Sequence, residues 1–279
     1  MRKSFIVMSM AATAGIPVIG SAQTVAPAPE HTVTGNVSLF SEYRFRGISQ
    51  TFAKPAIQGG FDYSHASGVY LGNWNSNVSS GAGYPGGTIE MDLYGGWKKS
   101  LDDRGFDVGF VYYYYPDAKA GPASAIFTNP RFGKVNTGRV DNKEIYIGGS
   151  WKWLSAKYHY ALDDYFSLPG TKGSNYLDIS GIYELGAGWG LVGHVGAFRL
   201  KGWSTALPAT NANYTDWKLG VTKDIAGWVF AASYIDSSAK GSCSAGEFYC
   251  FGNTLPAMAG TQFKDAGKGV IILSVSKSF

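Results

Sequence analysis

The chain has 279 residues, of which 16% are charged and 15% aromatic, with 24 Lys and Arg against 20 Asp and Glu. Charge is well below the usual quarter of a soluble domain, and a net +4 gives no reason to invoke nucleic acid. Beyond the N-terminus no stretch approaches ~18 uninterrupted apolar residues, so there is no spanning helix.

Met1-Arg2-Lys3 supplies two charges, Phe5 to Ile19 is an apolar run, and Gly20-Ser21-Ala22 is a small-residue processing site. This is the pattern of a secretory signal peptide, residues 1–22, cleaved after Ala22. Residues 23–31 then form an N-terminal linker. The remaining 32–279 reads as one domain.

Along that domain, one phase of each segment is apolar and the other polar, the signature of strands with one greasy face. Thr32–Phe45 carries Val33, Val37, Leu39, Tyr43 and Phe45 on one face and Asn36, Ser38, Glu42 and Arg44 on the other. Ile57, Phe61 and Tyr63 oppose Gln58 and Asp62; Val69–Trp74 is a strand of undetermined phase. Ile89, Met91, Leu93 and Trp97 oppose Glu90 and Asp92, and Phe106 to Tyr114 oppose Asp107 and Tyr113. Ile145, Ile147, Trp151 and Trp153 oppose Glu144 and Lys152, then Leu154 to Tyr160 oppose Lys157 and His159. Leu177, Ile179 and Leu185 oppose Asp178 and Glu184, and Trp189–Leu200 is again of undetermined phase. Trp217, Leu219 and Val221 oppose Asp216 and Lys218; Trp228, Phe230 and Tyr234 oppose Val229 and Ser233. The last strand, Val270 to Phe279, alternates Ile271, Leu273, Val275 and Phe279 with serines.

That makes about twelve strands, and their connections alternate. Short links fall near 64–68, 98–105, 153–154, 185–189 and 223–227. Long ones fall near 46–55, 77–87, 116–142, 163–174, 201–213 and 237–266. A single antiparallel transmembrane β-barrel, with short periplasmic turns and long extracellular loops, has this rhythm; a β-sandwich has no reason for it. The tryptophans agree. Trp97, Trp151, Trp153, Trp189 and Trp228 sit beside short turns, where an inner aromatic girdle belongs. Tyr43, Phe45, Tyr112, Tyr114, Tyr160 and Tyr234 lie toward the long loops, as an outer girdle. Cys243 and Cys250, close together in an exported chain, are expected to form a local disulfide.

Several blocks carry a family resemblance. They are SEYRFRGISQTFAKPAIQGGFDYSHASGVYLGNW (41–74), GTIEMDLYGGWK, DVGFVYYYYP, YALDDYFS, NYLDISG, NYTDWKLGV and the terminal SVSKSF. In this order they resemble the TorF-type porin family, proteobacterial outer-membrane proteins of unknown function. The block Tyr43 to Gln50 is its most specific element. The resemblance implies an outer-membrane barrel with a channel role, and transfers no catalytic residue. Phe279 resembles the terminal aromatic signal read by the barrel-assembly machinery.

The polar phase assigns Glu42, Arg44, Arg46, Asp62, Glu90, Asp92, Asp107, Glu144, Lys157, His159, Asp178, Asp216 and Lys218 to the lumen. Two uses stand side by side: ion pairs that brace the strands, or a transverse field that orients a passing solute. The reading is passive diffusion of small polar or charged solutes, with a structural or surface-binding barrel as the alternative. The expected partners are the solute, outer-membrane lipid and lipopolysaccharide. An outer-membrane hydrolase would need a Ser–His pair on the outward face. His159 lies in the inward phase, His194 on a strand of undetermined phase, and His31 and His65 at a terminus and a short turn. No enzyme, cofactor or metal site is therefore assigned.

Overall fold

Alternation becomes architecture in twelve strands: β1 (His31–Phe40), β2 (Ala56–His65), β3 (Val69–Asn77), β4 (Ile89–Leu101), β5 (Arg104–Lys119) and β6 (Arg139–Trp151), then β7 (Leu154–Ala161), β8 (Asn175–Gly186), β9 (Trp189–Arg199), β10 (Tyr214–Ile225), β11 (Trp228–Ser237) and β12 (Val270–Ser278). This is a computed structural model describing residues 29–120, 128–129, 134–135, 138–202, 211–255 and 257–279. The signal peptide and most of the linker lie outside the described residues. Each strand is antiparallel to its chain neighbours, and β12 returns to pair with β1, closing the barrel. Closure leaves no unpaired edge, the condition for strands in hydrocarbon.

One phase of every strand faces outward and stays exposed, including Val33, Phe61, Leu71, Ile147, Leu219 and Ile271. Such a continuous apolar band on a soluble surface would aggregate; around a barrel it is the lipid face. The two strands of undetermined phase are now fixed. In β3, Val69 and Leu71 face out while Tyr70, Trp74 and Ser76 are buried inside. In β9, Trp189, Leu191 and Val195 face out, with Val192, His194 and Phe198 inside.

The expected short links are turns of two or three residues, such as Asp102-Asp103 and Ala226-Gly227. Trp97, Trp151, Trp153, Trp189 and Trp228 are exposed at that end. Lysines lie over three of these rings: Lys152 over Trp151, Lys223 over Trp189 and Lys277 over Trp228, each at 4.9 Å. Lys277 breaks the apolar phase of β12 at little cost, because its stem lies along an interfacial ring while the ammonium reaches water. At the loop end, Tyr112, Tyr114 and Tyr160 are partly covered in the outward phase, and Tyr234 is exposed. Trp217, 5.3 Å from Tyr234 and exposed, extends this group.

Two expectations at the start of the barrel need correction. The strand read over Thr32–Phe45 stops at Phe40, and Tyr43 and Phe45 are buried inside the barrel, not in the outer girdle. Alternation does run through Phe45. It continues, however, into a second short ribbon with its own period of two, and periodicity cannot separate a wall strand from a ribbon that turns inward.

The closing seam pairs Val37 with Lys277 and Leu39 with Val275. It continues to the last residue: the Gly35 amide donates to the Phe279 carbonyl at 2.7 Å, and the Phe279 amide donates back at 2.9 Å. The Phe279 ring lies over Gly35, where a Cβ would sit 2.7 Å from its edge. Cys243 and Cys250 are disulfide-bonded in the segment before β12. Deleting Phe279 removes both terminal hydrogen bonds and the ring. It is expected to lower the yield of heat-modifiable folded barrel on gels far more than Lys277→Leu does.

Candidate functional site in the barrel lumen

A twelve-stranded wall encloses more space than its own side chains fill in an eight-stranded barrel. Here the space is taken by the first long connection, residues 41–55. Arg44–Phe45 pairs antiparallel with Ile48–Ser49, making a small hairpin inside the barrel. This is the Tyr43–Gln50 block singled out in the sequence. Its tip is Arg46-Gly47, with φ of 50° and 80°. Two successive left-handed residues make the tight hairpin turn whose twist suits antiparallel strands. Gly47 is required twice over: its φ disfavours any side chain, and a Cβ there would lie 2.6 Å from Asp216 Cβ on the far wall.

The left-handed conformation of Arg46 costs on the order of 1 kcal/mol, and its side chain offsets that cost. Its Nη2 and Nη1 donate to the two carboxylate oxygens of Glu144 on β6, at 2.6 and 3.1 Å. The guanidinium also lies 4.6 Å from the Phe45 ring centre and 4.5 Å from that of Tyr176, and donates to the Tyr165 hydroxyl at 3.4 Å. Burial pushes the Tyr165 phenol, in the connection after β7, above its ordinary range. Arg44 anchors the hairpin's base. Its Nε donates to Glu42 at 3.0 Å, and its Nη1 to the carbonyls of Gly47 and Ala266 at 2.9 and 3.0 Å. Ser49 N donates to Ala266 O at 2.9 Å, so the connection before β12 holds the same hairpin. On the other flank Tyr43 donates to Glu90 at 3.0 Å and meets Trp74 edge-on, while Tyr84 donates to Gln50 at 2.7 Å. Phe45 packs edge-on against Tyr113 and Phe166.

Below the tip lies a cavity lined by Arg46, Tyr113, His159, Asp178, His194 and Lys218, among others. His194 is held at both ring nitrogens. Nδ1 is 3.0 Å from Asp178 and 3.1 Å from Ser180 Oγ; Nε2 is 2.9 Å from Asp216 and from the Tyr176 hydroxyl. Beside it, Lys157 pairs with Asp107 at 2.7 Å, and Tyr70 donates to the same carboxylate at 2.6 Å and contacts the Tyr146 hydroxyl. Tyr94 donates to Asp62 at 2.6 Å.

Every wall residue assigned to the lumen faces it: Asp62, Glu90, Asp92, Asp107, Glu144, Lys157, His159, Asp178, Asp216 and Lys218. Glu42, Arg44 and Arg46 are also inside, but on the hairpin and not on the wall. The sequence reading missed His194, whose strand phase was open, and the inward aromatics Tyr70, Trp74 and Tyr176. Of the long connection 116–142, residues 121–127, 130–133 and 136–137 lie outside the described residues; the lumen is narrowed by the first connection. His194 and Ser180 point into the lumen, away from the outward face a lipid hydrolase would use.

Among the described residues, seven carboxylates are buried against three Lys and Arg. Both oxygens of Asp92 and the Trp74 indole nitrogen have no hydrogen-bond partner. Toward the short turns the lumen opens: along β4 the inward residues pass from buried Asp92 and Tyr94 to half-buried Lys98 and exposed Ser100.

Residues 24–279 match a family described as "Bacterial protein of unknown function (Gcw_chp)". No curated protein matches the sequence. Among solved structures the chain is similar to the KdgM porin, with 8% identity and a TM-score of 0.47 over 88% of this chain and 99% of that one. It is also similar to the outer membrane protein OprD from Pseudomonas aeruginosa, with 10% identity and a TM-score of 0.39 over 81% of this chain and 59% of that one.

Truncating one partner of a buried ion pair strands the other, at a cost of about 3–5 kcal/mol. Arg46→Ala is expected to destabilise the barrel by that order in urea unfolding from lipid vesicles. Glu144→Ala added to it should cost less than the sum of the two single changes, since the stranded charge is then gone.

Proposed function

The chain belongs to the Gcw_chp family of bacterial proteins, and from the lumen's construction we propose an outer-membrane channel for passive diffusion of small polar solutes. Its passage is narrowed from the outside by the Tyr43–Gln50 hairpin. The finer kinship with the TorF-type porins belongs to this proposal, as do export by the cleaved leader, assembly by the barrel-assembly machinery through the Phe279 strand, and a setting among lipopolysaccharide. Outer-membrane placement follows from the same reading.

One observation carries it: a charged, polar lumen open toward the turns and crossed near the loops by a hairpin belonging to a connection, not to the wall. A barrel built only for rigidity would be served by apolar filling, which avoids the cost of desolvating charge. The excess of buried carboxylates favours cations and cationic solutes in transit. The second reading, a structural or surface-binding barrel, draws on how many contacts fix the hairpin: one that never leaves would keep the barrel shut.

Planar-bilayer recording separates them. The channel reading expects discrete, cation-selective conductance. It should rise when Gly47→Val unseats the hairpin, and its cation preference should fall in Glu90→Gln/Asp92→Asn. Silence from both the parent and a folded Gly47→Val barrel would leave the structural reading in its place.

A further inference from the structure

The register of β1 and β2 brings together three side chains that lie apart in the sequence. His31 and His65 are directly opposite each other at the turn end of the pair, and Glu30 immediately precedes β1. One ligand atom from each of Glu30, His31 and His65 lies within 4.8 Å of the other two. The imidazole rings are 5.0 Å apart, centre to centre. We propose that these three residues form a binding site for a divalent transition-metal ion, Zn²⁺ in the first instance, at the periplasmic rim of the barrel.

Two imidazoles and a carboxylate are a donor set suited to borderline cations such as Zn²⁺, and a poor one for Ca²⁺ or Mg²⁺, which take oxygen ligands. The outer contacts of the two histidines point the same way. His31 Nδ1 is 2.9 Å from the Tyr63 hydroxyl, and His65 Nδ1 is 2.7 Å from Ser67 Oγ. A metal-ligating histidine commonly uses one ring nitrogen for a hydrogen bond that fixes ring and tautomer, leaving the other for the ion. In His31, Nδ1 is engaged and Nε2 is left for the ion; in His65, Nδ1 accepts from the Ser67 amide at 3.1 Å, so ligation through Nε2, which faces Glu30 at 3.3 Å, moves the ring proton to Nδ1, where Ser67 Oγ accepts it. Bonds of about 2.0–2.1 Å in a tetrahedron bring donors closer than this arrangement holds them. Glu30 is exposed at 72% of its side chain and can swing to close the gap. Water completes the fourth position.

The site lies in the outward phase beside Tyr63, far from the hairpin, and is independent of whether the barrel conducts. A bound ion would join the segment entering β1 to the end of β2. It would thereby fasten the start of the barrel at the one point where β1 has no preceding strand to hold it.

The test uses the mature chain without a histidine tag, folded in detergent and titrated with ZnCl₂ by calorimetry. The expected result is one Zn²⁺ per barrel with a raised melting temperature, no response to CaCl₂, and loss of binding in His31→Ala/His65→Ala. Tyr63→Phe, which keeps all three ligands, should weaken binding about 10-fold or more by freeing the His31 ring. Co²⁺ added to the unaltered protein should give the intense visible absorption of a low-coordinate site. Heat-modifiable mobility confirms that each variant is folded. Undetectable Zn²⁺ binding, equal affinity in the double histidine variant, or a purely six-coordinate Co²⁺ spectrum overturns the site.

Discussion

Backbone amides in hydrocarbon must find partners within the protein, since each one left unpaired costs several kcal/mol. That constraint shapes the rest of this molecule. It forces β12 back onto β1, carries pairing to the last residue, and demands an outward face of Val, Leu, Ile and Phe. The ring closes at twelve strands and so opens a lumen that wall side chains leave unfilled. The hairpin at Arg46-Gly47 answers this second demand by filling the outer half from within.

Inside, the problem inverts. Charges that would be ruinous on the lipid face are gathered in the lumen, where they are affordable only if each finds a counterpart. Glu144 takes Arg46 in a two-point bond, Asp107 takes Lys157, and Asp178 with Asp216 clasp His194. The Tyr hydroxyls extend these pairs into networks, donating to Glu90, Asp107, Asp62 and Asp216. Asp92 stands outside this scheme with both oxygens unpartnered. The residues that brace the wall are the same ones that the proposed channel would present to a solute, so the lumen's ion pairs do not have to be one or the other.

The barrel was legible because a lipid face and a water-facing lumen impose opposite chemistry on alternate residues. Glu144, Lys157 and Asp178 could be placed inside for that reason alone. Short turns beside Trp97, Trp151 and Trp228 marked one membrane border in the same way. The signal failed where both phases carry similar residues. Trp74 faces inward between Asn73 and Asn75, and glycines alternate with aliphatics around His194, so neither strand declared its phase. It failed differently at Tyr43 and Phe45, whose alternation was genuine but belonged to a ribbon inside the ring. The His31–His65 pairing was hidden for a third reason: it is a matter of register, and no local pattern reports which residue lies across the sheet.

The hairpin's seat also sets an order of events. Arg44 and Ser49 are tied to Ala266, more than two hundred residues later, and the tip rests against β6 and β10. None of these surfaces exists while the first strands are being laid down. The segment that leaves β1 can therefore make its full set of contacts only when those parts of the wall are present. Contacts of such long sequence separation are the slow ones in folding, because loop closure must precede their reward. The narrowed lumen is therefore a property of the completed ring, since the hairpin's full seat exists only once β6, β10 and the segment before β12 are all in place.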